Sequence, residues 1–428
     1  FNFSEVSSNV NEVELSFKLH CCSKLKDFVF KYEDLLGKEI WDVLDEKIQE
    51  EPGAFLSAVN SYATRKKNIR IYLLIDEYDN FTNTILSTYG TEFYRKATHG
   101  EGFIRGFFNV IKSATTGTGA ALERLFITGV SPVTMDDVTS GFNIGTNITN
   151  DSWFNDLVGF SENELREMLE YYKEQGVLQE SIDEIVAMMK PNYDNYCFSE
   201  DTLEQCMFNS DMALYFLKSF VLHHKKPKEI VDPNIRTDFN KLAYLIKLDH
   251  GLGENFSVIK EIAEQGEIIT DIVTHFSALE MTDPSNFKSL LFYFGLLSIK
   301  GVDMVGRPIL HVPNLVVREQ LFNFLIQGYI KHDIFKIDMN KMSALFENMA
   351  FRGDWKPLFD FIANAVREQS RIREYIEGEA HIKGFLLAYL GMYRYYQLYP
   401  EYELNKGFAD FFFKPSLSVP VLPPFTYL

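Results

Sequence analysis

The chain has 428 residues, 46% hydrophobic and 15% aromatic, which supplies packed cores for two or three domains and excludes a disordered polymer. A net charge of −18 argues against nucleic-acid binding by the whole surface but leaves room for a locally neutral or basic groove. The four cysteines lack metal-type spacing and fit buried or idle thiols in a cytoplasmic, reducing compartment; no apolar stretch approaches a membrane span and no signal peptide is visible, so no membrane partner is expected.

In chain order, Phe1 to Ser4 read as the end of a strand, and helical patterns follow over 10–35 and 54–66. The run Ile71-Tyr72-Leu73-Leu74-Ile75-Asp76-Glu77-Tyr78-Asp79 then turns abruptly from apolar to acidic. A short continuous apolar run is the pattern of a strand buried on both faces of a parallel sheet, and in such sheets function gathers at the carboxyl ends of the strands. At that end Asp76 suits Mg²⁺, held directly or through water, and Glu77 suits polarising a water toward the γ-phosphate of ATP. This is a Walker B pattern. The same nine residues, taken alone, equally describe a buried strand whose end carries solvated acids.

Residues 102–113 predict a helix with an aromatic stripe, more readily core than a base-stacking platform. A second apolar run, 125–131, ends in small polar residues, and two such strands separated by helices predict a βαβ organisation. Thr128 and Ser131 are the candidates to sense a γ-phosphate there; a plain turn capping a strand is the bland alternative. The stretch 133–149 reads as a long polar loop, and 157–160 as a short third strand. Ser161 and Glu164 form a capping-box pattern for a helix running to about Gln175, with Gly176 as its stop. From there to about 330 the pattern is mainly helical, with loops at 191–198 and 232–238. Over 287–327 it has the outline of a winged helix: a helix, a hairpin of 297–299 against 309–312, and a second helix. That second helix has no Lys/Arg cluster, so packing is favoured over DNA contact. Short helices are expected over 333–348.

From 351 to 428 nine basic residues balance nine acidic ones, a shift from the acidic body that predicts a domain boundary near 340–350. This tail reads as a helix over 382–398, a strand carrying Glu401 and Glu403, and a hairpin partner over 407–413. Asp410 beside an aromatic strand, after a helix bearing Glu379, has the makings of a divalent-metal site; solvated acids at a strand end are the commoner meaning.

The segments LLIDEYDNF (73–81), FITGVSPVTMDDVTSGFNIGTNIT (126–149), FSENELREML (160–169), NYDNYCF (192–198) and NKGFAD (405–410) together resemble a bacterial family. Its members join an AAA-ATPase-like domain to a C-terminal domain of the PD-(D/E)XK nuclease superfamily. The resemblance implies an α/β fold: a P-loop NTPase-like parallel sheet with helices over 1–160, a helical, winged-helix-like lid over 161–340, and a partial α/β nuclease-like domain over 341–428. It also implies ATP and Mg²⁺ as cofactors, DNA or another nucleic acid as partner, and a ring-type homo-oligomer. By similarity, Asp76 holds Mg²⁺ and Glu77 activates water, while Glu379 and Asp410 are the nuclease carboxylates, with Asp410 on the metal. The family's phosphate-gripping loop would precede Phe1, and its Glu-x-Lys would follow Leu428, so the chain reads as cut at both ends. Two functions stay open: an ATP-dependent enzyme acting on nucleic acid, and an ATPase-like regulatory or scaffolding protein with an inactive nuclease-like tail.

Overall fold

A computed structural model of the chain describes residues 1–66, 69–116, 120–138, 145–227, 229–232, 254–281, 283–331, 335–369, 379–393, 395–404 and 407–415. Outside the described residues lie 139–144 of the expected polar loop, 233–238 of the second expected loop, Asn405 and Lys406 of the NKGFAD motif, and the chain end from 416. The fold is mixed α/β, with two compact units: 1–147 with 273–294, and 148–272 with 295–428.

The first unit starts with α1 (Val13–Lys31) and α2 (Pro52–Arg65). Pro52 opens α2, where its missing N–H costs nothing. Strand β1 (Ile71–Ile75) follows, then α3 (Asn80–Tyr89), α4 (Thr91–Thr98), α5 (Phe103–Thr115) and β2 (Leu122–Ile127). β1 and β2 pair in parallel, from Tyr72 opposite Arg124 to Ile75 opposite Ile127. Parallel neighbours require a crossover, here three helices long. The aromatic stripe of α5 is core, as the sequence predicts: Phe107 and Phe108 are buried, and Phe17, Phe81 and Phe107 pack with ring centroids 5.4–6.0 Å apart.

Three expectations for this region change. β1 is buried on one face only: Ile71, Leu73 and Ile75 point inward, while Tyr72 is 64% and Leu74 61% exposed. Among the described residues nothing covers that second face, so alternation replaces the expected double burial. Phe1–Ser4 contributes one parallel bridge, Asn2 to Asp76, before Phe3–Glu5 tightens into a 3₁₀ turn. The expected loop from 133 begins as a helix, α6 (Val133–Val138).

In the second unit, α7 (Glu162–Glu174) carries the predicted capping box: the Ser161 hydroxyl accepts from the Glu164 N–H, and the Glu164 carboxylate accepts from the Ser161 N–H. The helix stops at Gln175 and Gly176, as predicted. Residues 157–160 are not a third strand of the parallel sheet. Leu157 and Val158 are exposed, Gly159 turns at φ +93°, and only Phe160 bridges, antiparallel, to Phe208. Pro191, expected in a loop, lies in the last turn of α8 (Ile182–Tyr193). With α9 (Ser210–His223), α7 and α8 enclose a core of Leu165, Met189, Phe208 and Phe216.

Helix α10 (Glu254–Gln265) leads into β3 (Glu267–Ile269). Helix α11 (Pro284–Tyr293) belongs to the first unit, and β4 (Ser298–Val302) and β5 (Pro308–His311) form the predicted hairpin in the second. The sheet runs β3-β5-β4, antiparallel throughout. Beyond it, α12 (Leu315–Lys331) is followed by one 14-residue helix, α13 (Met339–Arg352), where short helices were expected, and by α14 (Lys356–Glu368). The tail helix α15 (Glu379–Gly391) ends earlier than its apolar pattern predicts, because Tyr396–Leu404 already forms strand β6. β6 carries Glu401 and Glu403 and pairs antiparallel with β7 (Gly407–Pro415). All four cysteines are free thiols; burial pushes the Cys22 thiol up to about 11, which makes it inert. No described helix is long and apolar enough to cross a membrane.

Candidate functional site

In the first unit, β1 and β2 bring Asp76 and Thr128 side by side at their carboxyl ends. The Thr128 hydroxyl donates to Asp76 Oδ1 at 2.5 Å, and Asn2 Nδ2 donates to Oδ2 at 3.2 Å. Asp76 is exposed, so its carboxylate remains accessible to a cation. Glu77 turns the chain with φ +55°, a conformation that costs a β-carbon-bearing residue energy and that turns up at functional sites. Its Oε2 accepts from Asn80 Nδ2 at 3.2 Å.

Ser131 is placed differently. It is buried, with its N–H and hydroxyl donating to Asp79 Oδ2 at 2.9 and 3.4 Å, while the Val130 N–H donates to Oδ1 at 3.0 Å. Asp79, fully buried, also accepts from Asn83 Nδ2 at 2.7 Å. The Tyr78 hydroxyl donates to the Ser131 carbonyl, and burial drives that phenol well above its ordinary range. A Cβ on Gly129 would come within 2.2 Å of the Tyr78 ring, so only glycine allows this approach. Sequence reasoning missed Asp79 and Tyr78 as the fasteners of the Gly-Val-Ser turn. The available signal was a second aspartate three residues after Asp76, on the turn where a helix begins.

Below this turn a buried polar chain continues through α3, α4 and α6. The Thr82 and Thr134 hydroxyls lie 2.9 Å apart, Tyr94 donates to Asp137 Oδ2 at 2.8 Å, and the Ala278 N–H donates to the same oxygen at 3.0 Å. His99 Nε2 lies 3.5 Å from Asp137 Oδ1. Burial holds the Asp137 carboxyl above the usual carboxylate range, against the opposing pull of Tyr94, the Ala278 N–H and His99.

In the second unit, Glu379 is the first residue of α15, and Lys383 follows four residues later in the same helix. Asp410 sits within β7, exposed, and its Oδ1 lies 3.1 Å from Lys383 Nζ. Lys383 was not singled out from the sequence, although its four-residue spacing from Glu379 was visible. Among the described residues no group of three or more His, Cys, Asp or Glu side chains is placed to hold a metal. Mg²⁺ commonly takes only one or two carboxylates and completes its shell with water and phosphate oxygens. Asp76 with its neighbouring hydroxyl fits that donor set.

Residues 1–139 match the family model of a predicted AAA-ATPase, and residues 377–421 match the PD-(D/E)XK nuclease superfamily. The chain therefore joins an AAA-ATPase-like segment to a nuclease-superfamily segment, the architecture its motifs resemble. No match was found among curated proteins or among solved structures.

Proposed function

We propose that the strand-end site of the first unit binds and hydrolyses ATP with Mg²⁺, and that α15 with the β6–β7 hairpin acts on the phosphodiester backbone of nucleic acid. The observation that carries the first half is the meeting of Asp76 and Thr128 at adjacent parallel strand ends, inside the segment that matches an AAA-ATPase. Asp76 would hold the cation and Thr128 would orient the carboxylate. Glu77, projected from a left-handed turn, would accept a proton from the attacking water. The bound cation would neutralise charge on the phosphates. Asp79 would keep the Val130–Ser131 turn in register, and Ser131 would respond to nucleotide through that turn rather than by direct contact. No Gly-Lys-Ser/Thr sequence precedes Asp76 in the chain, so the groups that grip the phosphates are not assigned to these residues. Within the second unit, the antiparallel β3-β5-β4 sheet followed by α12 supports the winged-helix reading of the region expected to act as a lid.

In the second unit Glu379 and Asp410 are the proposed carboxylates, with a divalent cation on Asp410. A specific observation favours the alternative of an inactive, scaffolding tail: Lys383 already pairs with the Asp410 carboxylate and would have to release it to a metal. Two measurements separate the possibilities. Glu77→Gln is expected to abolish ATP turnover while retaining ATP binding in the purified protein; unchanged turnover would remove the hydrolase assignment. Cleavage of a labelled oligonucleotide that needs Mg²⁺, stops with EDTA and is lost in Asp410→Ala supports the nuclease; no cleavage under any metal supports the scaffold.

A further inference from the structure

A cleft of about 830 Å³ opens within the second unit, walled by the end of α10, the start of α12, α15 and β6. Its size falls in the range of roughly 300–1,000 Å³ typical of ligand pockets. That suits a few nucleotides of one strand and not a duplex. Arg318 of α12 lines it, half-buried, with Nη2 donating to the Leu398 carbonyl at 2.5 Å and the guanidinium 5.4 Å from the Phe322 ring centroid. Among the described residues no carboxylate pairs with Arg318, in a chain whose net charge is −18. A guanidinium partly withdrawn from water without a counter-charge carries a desolvation cost, and an incoming anion relieves it.

Two more lining side chains give the cleft its direction. Lys383 stands in the wall with its ammonium 3.1 Å from Asp410, so the cleft leads to that carboxylate. Tyr399 of β6 adds an aromatic surface. Glu264 is the lining acid; burial raises its carboxyl above the usual range and Lys260 lies 3.8 Å away, so its charge is muted. Cations interleaved with an aromatic ring are how single-stranded nucleic acid is held without base readout.

We propose that this cleft is a phosphate subsite for one strand of nucleic acid: Arg318 and Lys383 bind phosphodiester oxygens, Tyr399 stacks a base, and the strand runs toward Asp410. The proposal rests on the nucleic-acid reading of α15 and the hairpin, but Arg318 itself lies outside both segments that match known families.

The test is fluorescence anisotropy of a labelled ten-nucleotide single strand, and of its duplex, with EDTA present so that cleavage is not read. The single strand should bind more tightly than the duplex. Arg318→Gln should weaken it about tenfold and lower the slope of log K against log salt by about one. Arg318→Lys should recover most of the binding, and Tyr399→Leu should lose about tenfold. Duplex binding equal to single-strand binding, or Arg318→Gln and Tyr399→Leu both binding like the unaltered protein, overturns the proposal. If Arg318→Gln lowers the melting temperature, Arg318→Lys and Tyr399→Leu decide it. Strand binding by the unaltered protein in EDTA, with no cleavage under any divalent metal, refutes the nuclease while supporting the subsite.

Discussion

The residues that hold the first site together are not those a motif would name. Asp79 takes the N–H groups of Val130 and Ser131 and the Asn83 amide in a position sealed from water, and Gly129 leaves room for the Tyr78 ring. Asp79→Asn would turn one acceptor oxygen into a donor facing other donors. It should cost about 1–3 kcal/mol for each N–H left unsatisfied, read as a lower urea midpoint. Gly129→Ala should cost about 1–3 kcal/mol by overpacking against Tyr78, and on the proposed function should lower ATP affinity, because the turn that follows Thr128 must shift away from Tyr78. A urea midpoint unchanged in both variants would show that the turn is held elsewhere. The place of Asp76 and Glu77 at a strand end was legible because an apolar run ended on them. The placement of Ser131 was not, since its partner Asp79 lies 52 residues away in the chain.

At the scale of elements, local chemistry was the readable part. The capping box at Ser161, the stop at Gly176 and the β4–β5 hairpin follow from side chains reaching neighbours a few residues away. Boundaries set by distant contacts were not readable. The tail helix keeps an apolar sequence through Tyr396 and Leu398, yet those side chains are buried from strand β6, where Tyr396 faces Phe413 at 5.7 Å between centroids. Asp137 shows an element-level dependence on pH. It joins α4 and α6 to the 273–294 segment, and burial raises its folded-state pKa above the unfolded value. The stability linked to its protonation is therefore fully present below the unfolded pKa and is lost as pH rises through the folded one. Asp137→Asn stays neutral throughout, so its urea midpoint should fall less than that of the unaltered protein as pH rises from the ordinary carboxylate range through the raised folded-state value. Parallel curves for the two proteins would exclude Asp137 as the titrating group.

For the whole molecule, composition set the boundaries well: the aromatic excess fills cores in both units, from Phe17, Phe81 and Phe107 to Tyr329 and Phe385, whose centroids lie 4.4 Å apart. Composition could not show how small the sheets are, because apolar runs look alike whether they pair with one neighbour or several. The two-stranded β1–β2 sheet makes the point, with Tyr72, Leu74 and Phe126 all facing outward on one side. Such a surface is sticky: it should capture the dye ANS in the native state and make concentrated solutions of this chain drift toward aggregates despite their strong negative charge. Leu74→Lys should reduce native-state dye fluorescence and slow that drift in light scattering, with little change in melting temperature; equal dye binding in the variant would place the sticky surface elsewhere. The strand that ends in Asp76 is thus also the place where storage and crystallisation of this chain would first go wrong.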